Sequence, residues 1–309
     1  MIYVIDVQSR ATIQDLGRFG LRRFGISQCG AMDKLALRAG NILLGNAEDA
    51  PAIEVPLGGI TLQFQQDMNF CVTGAFYEMI LDDKPVFAYW RYQARAGQVL
   101  KMIRAKIGMY GYLCVQGGFT LPQELNSCST DLRAQIGGIE GRGLQVGDQL
   151  QTVNDPILRS EIGIAPIPLK HTIHALPSSE YQAFKRKSQY YWWRSKWTLQ
   201  SNSDRMGYRF QGQKLELKQP LEMLSHAIQF GSVQVPPSGQ PIILMADAQT
   251  TGGYPKIANV IDADLGALAQ VRLGSTIQFE AVSLEQAAKL RRKNEIYLDQ
   301  IRRIVDEKN

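Results

Sequence analysis

The nine residues from Asp247 to Pro255, D-A-Q-T-T-G-G-Y-P, gather an acid, an amide, two hydroxyls and a phenol around two adjacent glycines. Glycine carries no Cβ, so a ligand can approach Gly252 and Gly253 closely and meet free backbone N–H donors. The apolar run Ile242 to Met245 just before them reads as a strand, which makes the segment either an elaborate hairpin or a site at a strand's end. Nearby in sequence, V-Q-V-P-P-S-G-Q-P offers Gln234 and Gln240 as fixed amide donors and acceptors. Gln249, Thr250, Thr251 and Tyr254 complete a set suited to recognising a small amide or lactam by hydrogen bonding. The set is less suited to proton transfer at neutral pH.

Three further polar segments are candidates. In A-T-I-Q-D-L-G-R, Asp15 and Arg18 flank a tight turn, and they read either as a structural acid–guanidinium pair or as part of a site. In S-C-S-T-D-L-R, the hydroxyls of Ser129 and Thr130 and the acid of Asp131 form either a helix N-cap or a nest for an anion or amide. In S-D-R-M-G, Arg205 could clamp a carboxylate or phosphate, while Asp204 could hold a turn.

Several chemistries are disfavoured. There is no G-x-x-x-x-G-K-[ST] phosphate loop, and Gly137, Gly138, Gly141 and Gly143 lack the spacing of a dinucleotide cradle. His171 and His174 stand three apart in an extended stretch, on opposite faces, which makes a poor metal pair; no metal ligand set is visible. No G-x-S-x-G elbow occurs, and nothing beside His226 marks it as a triad base. Cys29, Cys71, Cys114 and Cys128 lie far apart and read as reduced packing residues.

The elements that must position these groups are mainly strands. Alternation at Leu62 and Phe64, at Leu215 and Leu217, and at Ile277, Phe279 and Ala281 predicts half-buried strands, and glycine-punctuated runs predict many turns. L-G-G-I-T-L-Q-F at Leu57 and L-G-S-T-I-Q-F at Leu273 suggest two related β units. Three helices are expected: 33–44, closed by Gly45-Asn46; one capped by Ser178 or Ser179 and running through Phe184 toward Tyr190; and 284–306, with Ser283 and Gln286 as a capping box. On the last, Ala287, Leu290, Tyr297, Ile301 and Ile304 form an apolar stripe.

At 309 residues two domains are expected, and the proline-bearing stretch from Asp155 to Pro168 places their boundary near 165, giving 1–165 and 166–309. A net charge of +5, with basic residues scattered among acids, argues against nucleic acid as a partner. The first ten residues lack a secretory pattern, and no apolar run approaches the roughly 20 residues that span a bilayer, so a cytoplasmic location without membrane association is expected.

Six segments occur together and in order: T-I-Q-D-L-G-R, C-G-A-M-D, N-S-C-S-T-D, S-D-R-M-G-Y-R, V-Q-V-P-P-S-G-Q-P and D-A-Q-T-T-G-G-Y-P. Across Ile2 to Phe279 the chain resembles the allophanate-hydrolase subunit 2 family, in the branch of the C subunits of bacterial ATP-dependent 5-oxoprolinases. The resemblance implies a mainly β fold of two barrel-type units, one cyclophilin-like, with peripheral helices. It also implies partner subunits A and B, ATP as co-substrate, and cleavage of the lactam of 5-oxo-L-proline to L-glutamate by the assembly, with the chain inactive alone. On that scheme Arg205 stabilises charge, Asp247 positions water or takes a proton, and Tyr254 and the neighbouring polar groups orient the substrate. Relatives often carry Arg where Cys128 stands and Ser-Glu-Gly where this chain has Ser225-His226-Ala227. The family also holds biotin-dependent urea carboxyltransferase parts and antagonists of a sporulation-kinase inhibitor. A carboxyltransferase-type component and a non-catalytic regulator are therefore the alternatives.

Overall fold

A computed structural model describes residues 1–153, 155–158 and 161–308. The chain is mostly β and divides into two compact units. The first comprises Met1–Arg18, Cys29–Pro168 and Asn294–Asn309; the second comprises Phe19–Gln28 and Leu169–Lys293. Set beside the boundary expected near 165, two stretches of chain cross over: ten residues of the N-terminal half go with the second unit, and the end of the last helix goes with the first.

In the first unit a nine-stranded antiparallel sheet curls into a half-barrel around the long strands Met68–Leu81 and Val99–Val115. The predicted strand at Leu62 and Phe64 is present as Ile60–Phe64, with alternate residues buried. Helix α1, Lys34–Leu43, packs on the sheet, with Asp33 as its N-cap accepting from the Ala36 N–H at 3.1 Å. Gly40 permits that contact, because a Cβ there would lie 2.8 Å from Cys114 Sγ and 2.9 Å from Thr73 Oγ1. Asn41 is fully buried and donates to the Ala50 and Glu48 carbonyls. Within the proline-bearing stretch, Ile162 and Ile164 are pinned to the sheet, with Arg91 N–H donating to the Ile162 carbonyl and Ile164 N–H to the Tyr89 carbonyl.

The second unit is a closed barrel of seven strands. In spatial order these are Thr172–Pro177, Lys256–Val260, Ser232–Gln234, Ile242–Leu244, Gly207–Gln211, Trp197–Leu199 and Thr276–Ala281, and the last pairs in parallel with the first. Helix α2, Arg186–Arg194, contributes Trp192 to the core, stacked on Phe279 at 4.2 Å between ring centroids. The expected helix from Ser179 is instead a short 3-10 turn, Tyr181–Ala183, followed by α2. Phe184 breaks it in extended geometry (ψ 147°) because its side chain is drawn fully into the core. Leu215 and Leu217 alternate in burial as expected but form only an isolated bridge, Phe184 with Leu217.

Helix α3, Asp262–Ala269, went unpredicted because its apolar residues follow no single stripe. Helix α4, Leu284–Lys308, starts at the expected capping box: Gln286 N–H donates to Ser283 Oγ at 3.1 Å, and Ser283 N–H donates back to Gln286 Oε1 at 2.7 Å. The buried residues of α4 are Leu298, Ile301 and Val305, whereas Ile304 of the expected stripe is 37% exposed. Among the described residues no helix is long and apolar enough to cross a membrane.

Candidate functional site

The fourteen residues singled out by type and spacing fall into two groups. Asp15, Arg18, Ser129, Thr130 and Asp131 belong to the first unit; Gln234, Arg205, Asp247 and the run from Gln249 to Tyr254 belong to the second. Each group is coherent within its own unit.

In the first unit Asp15 is the hub. Its carboxylate accepts from the hydroxyls of Ser127 (2.7 Å) and Ser129 (2.5 Å) and from the N–H groups of Cys128 (2.6 Å) and Gly17 (2.7 Å). Asp15 and Arg18 therefore turn to separate partners instead of pairing: Arg18, with no exposed surface, donates Nη2 to the Ser129 carbonyl at 2.6 Å and Nε to the Glu124 carbonyl at 3.2 Å. Three atoms here, Arg18 Nη1, Gln14 Oε1 and Thr130 Oγ1, are buried without a hydrogen-bond partner among the described residues. Burial, together with the Asp15 charge, pushes the Cys128 thiol up to about 11.

Asp131 caps a turn, not the start of a helix, accepting from the N–H groups of Arg133 and Ala134 at 3.0 Å each. Left-handed backbone at Gln135, Gly137 and Gly138 ends any helical run there. A Cβ at Gly137 would stand 2.1 Å from the Ser129 carbonyl oxygen and 2.3 Å from Arg18 Nη2, so this loop seats against the cluster only as glycine.

In the second unit S-D-R-M-G forms a turn that also carries an internal ion pair. Asp204 closes the turn by accepting from the N–H groups of Met206 (2.9 Å) and Gly207 (3.2 Å). Arg205 does clamp a carboxylate, and it is that of Asp247: Nε to Oδ2 at 2.8 Å and Nη2 to Oδ1 at 2.7 Å, both side chains nearly buried. The Asp247 N–H also donates to the Arg205 carbonyl at 2.9 Å, so the start of the D-A-Q-T-T-G-G-Y-P segment is fixed by main chain and side chain together.

From there the chain runs out as a short ladder in which Thr251–Gly252 pairs with His226–Ala227. Gly252 lies beneath the Gln234 amide, where a Cβ would come 2.5 Å from Nε2, and a Cβ on Gly253 would stand 3.3 Å from the Met223 carbonyl oxygen. The two glycines thus make room for the protein's own groups. Tyr254 is 47% exposed, and its carbonyl accepts from Gln234 at 3.5 Å. With Gly253, Pro255, Val235 and Pro236 it lines a largely apolar cavity of about 490 Å³. Gln240 points elsewhere and closes a loop by exchanging hydrogen bonds with the Gly212 main chain.

Sequence reasoning missed the stretch Phe19–Gln28, which clasps this segment. Arg22 Nη2 donates to the Ile228 carbonyl at 2.5 Å and to the Gln249 carbonyl at 3.3 Å, and Ser27 donates to the Ala248 carbonyl at 3.3 Å. It also missed Lys256, one residue past the hairpin, whose ammonium meets His226 Nε2 at 2.7 Å. No local pattern joins residues 206 to 227 positions apart in sequence, although the basic pair Arg22-Arg23 beside exposed Phe24 was a visible oddity.

Residues 24–281 match the family model of the carboxyltransferase domain, subdomain A and B. The chain is 91% identical over 309 residues to the C subunit of 5-oxoprolinase from Haemophilus influenzae, with all of both chains covered. It is 48% identical to the C subunit of 5-oxoprolinase from Escherichia coli, over 97% of each. The crystal structure of the K. lactis urea amidolyase superposes with a TM-score of 0.90 at 26% identity, covering 97% of this chain and 20% of that one. The chain therefore spans about a fifth of that much longer protein.

Proposed function

This chain belongs to the carboxyltransferase-domain family of subdomains A and B, of the allophanate-hydrolase subunit 2 type, and on that footing we propose that it is a subunit of an ATP-dependent 5-oxoprolinase. The observation that carries the reading is the 91% identity, without uncovered ends, to a relative named for that role. The assembly, completed by subunits A and B, opens the lactam of 5-oxo-L-proline to give L-glutamate.

A lactam is resonance-stabilised, which is why coupling to ATP makes physical sense. Transfer of the γ-phosphoryl group to the lactam oxygen turns that oxygen into part of a leaving group. Water then adds to the ring carbon and the ring C–N bond breaks, freeing the amine and leaving a γ-acyl phosphate; a second water cleaves that acyl phosphate to give the γ-carboxylate of glutamate and phosphate. This chain's sequence holds no phosphate loop, and on this reading ATP is a substrate of the assembly, held with help from a partner subunit.

The residues of the second unit take the part of one wall of the site. The cavity beside Tyr254 has the size of a small-molecule pocket. Gln234, Gln249, Thr250, Thr251 and the Gly252-Gly253 main chain supply donors and acceptors around the hairpin. Because Arg205 and Asp247 satisfy one another, their contribution is to hold that hairpin in place; free proton transfer by Asp247 would first require the pair to open. The buried cluster of Asp15, Arg18, Ser129, Thr130 and Asp131 shapes a loop of the first unit in the same preorganising sense.

The test is reconstitution with the suspected partner subunits, followed by ATP hydrolysis measured with 5-oxoproline, urea, allophanate and no addition. Stimulation by 5-oxoproline alone is expected. The likeness to the urea amidolyase structure favours a second reading, a carboxyltransferase part acting on urea, and stimulation by urea with a biotin carrier present would select it.

A further inference from the structure

Lys256 opens the barrel strand Lys256–Val260, and its side chain is only 12% exposed. Its ammonium donates to His226 Nε2 at 2.7 Å, while His226 Nδ1 stands 3.3 Å from the Leu224 carbonyl oxygen. A carbonyl can only accept, so the ring carries its proton on Nδ1 and presents Nε2 as an acceptor. The nearest carboxylate is Glu180, whose Oε2 lies 3.7 Å from the Lys256 Nζ and accepts instead from the Lys256 backbone N–H at 3.2 Å. The two charges form a loose ion pair, longer than the roughly 2.8 Å of a charge-assisted hydrogen bond. Here the ammonium makes one hydrogen bond among the described residues, to His226 Nε2, and two of its N–H groups are left over.

The neighbours of Lys256 are polar and fixed. Gln234 is its direct cross-strand partner in the barrel, so the amide and the ammonium rise from the same face. The amide lies over Gly252, and His226 is paired with Gly252 across the short ladder. A cation, an amide and an imidazole thus converge on one edge of the hairpin.

We propose that Lys256 is the receptor for the carboxylate of the substrate, with the Gln234 amide set to read the neighbouring ring amide and His226 holding the ammonium in place. The ligand class is a small cyclic amide bearing a carboxylate on the carbon next to the ring nitrogen. The assignment rests on the function proposed above for the ligand's identity, while the carboxylate receptor itself rests on the geometry.

The chain holds three histidines, so the ring protons of His226 can be followed by NMR and assigned with His226→Gln. Titration with 5-oxo-L-proline is expected to shift the His226 signal saturably and to leave His171 and His174 in place. 2-Pyrrolidinone, the same lactam without a carboxylate, is expected to bind about tenfold or more weakly, as is 5-oxoproline with Lys256→Met. Lys256→Arg keeps the charge and should stay within a few-fold of the parent, which separates lost recognition from lost fold. Equal binding of the two lactams, unaltered binding by Lys256→Met, or no saturable shift with 5-oxoproline would each overturn the assignment. In the assembled complex, 5-oxoproline-driven ATP hydrolysis whose KM ignores Lys256→Met would sink this proposal and leave the function standing. Absence of such hydrolysis, with the His226 shift intact, would do the reverse.

Discussion

Arg205 and Asp247 lie 42 residues apart in sequence and meet in a two-pronged contact, Nε to Oδ2 at 2.8 Å and Nη2 to Oδ1 at 2.7 Å. The contact ties the turn before one barrel strand to the end of its neighbour, since Gly207 pairs with Leu244 in the same ladder. Its first consequence is energetic. With side chains only 13% and 10% exposed, removal of either partner strands a charge away from water.

Arg205→Met and Asp247→Leu should each cost about 3–5 kcal/mol of stability, whereas the two replacements together should cost far less than the sum. Chemical denaturation of the four proteins measures the coupling. Additive losses would mean that the two side chains work independently.

The loop around Gly137 should tolerate nothing larger than glycine. Gly137→Ala must displace the Ser129 carbonyl or Arg18, in addition to adopting φ 71°, and should destabilise the protein by more than about 2 kcal/mol. Gly147 also has positive φ (95°) but open space around it, so Gly147→Ala should cost only about 1 kcal/mol. Thermal unfolding of the two variants side by side provides the comparison.

Cys128 predicts an alkaline response. Its thiol is held up to about 11, against 9.0 for the unperturbed group, mainly by burial and next by Asp15. Above pH 9 the unfolded chain loses this proton while the folded one keeps it. The contribution to stability is therefore complete below about pH 9 and lost as the pH rises through 11. Cys128→Ala should flatten the fall in stability across that window, and the parent thiol should resist alkylation at neutral pH. An unchanged slope would show that Cys128 contributes nothing to the alkaline limb.

Arg22 should act on the hairpin's dynamics. Removing its hydrogen bonds to the Ile228 and Gln249 carbonyls, about 1.5 kcal/mol for one charged donor, should speed amide exchange of Ile228 and its neighbours roughly tenfold. Hydrogen exchange of Arg22→Ala, compared with the first unit as an internal reference, reads this directly.

Much of the scaffold was legible because local physics decided it. The Ser283–Gln286 box fixed where α4 starts, and Asp33 and Gly45 bracketed α1. Where the sequence misled, tertiary burial had overridden local preference: Phe184 broke a helix by entering the core, and Leu215 and Leu217 kept their alternation without a ladder partner. The candidate site was legible in its residue types but not in its pairings. Nothing local shows that the Arg205 fork is filled by Asp247, that Gly252 sits beneath Gln234, or that Lys256 reaches His226 thirty positions away.

The most direct test of the account is product formation by the reconstituted assembly. With ATP and 5-oxo-L-proline, the complex containing this chain should release L-glutamate and phosphate in equal amounts, and the complex lacking it should release neither. Equal glutamate formation with and without this chain, or phosphate release indifferent to 5-oxoproline in a stable complex, would contradict the account.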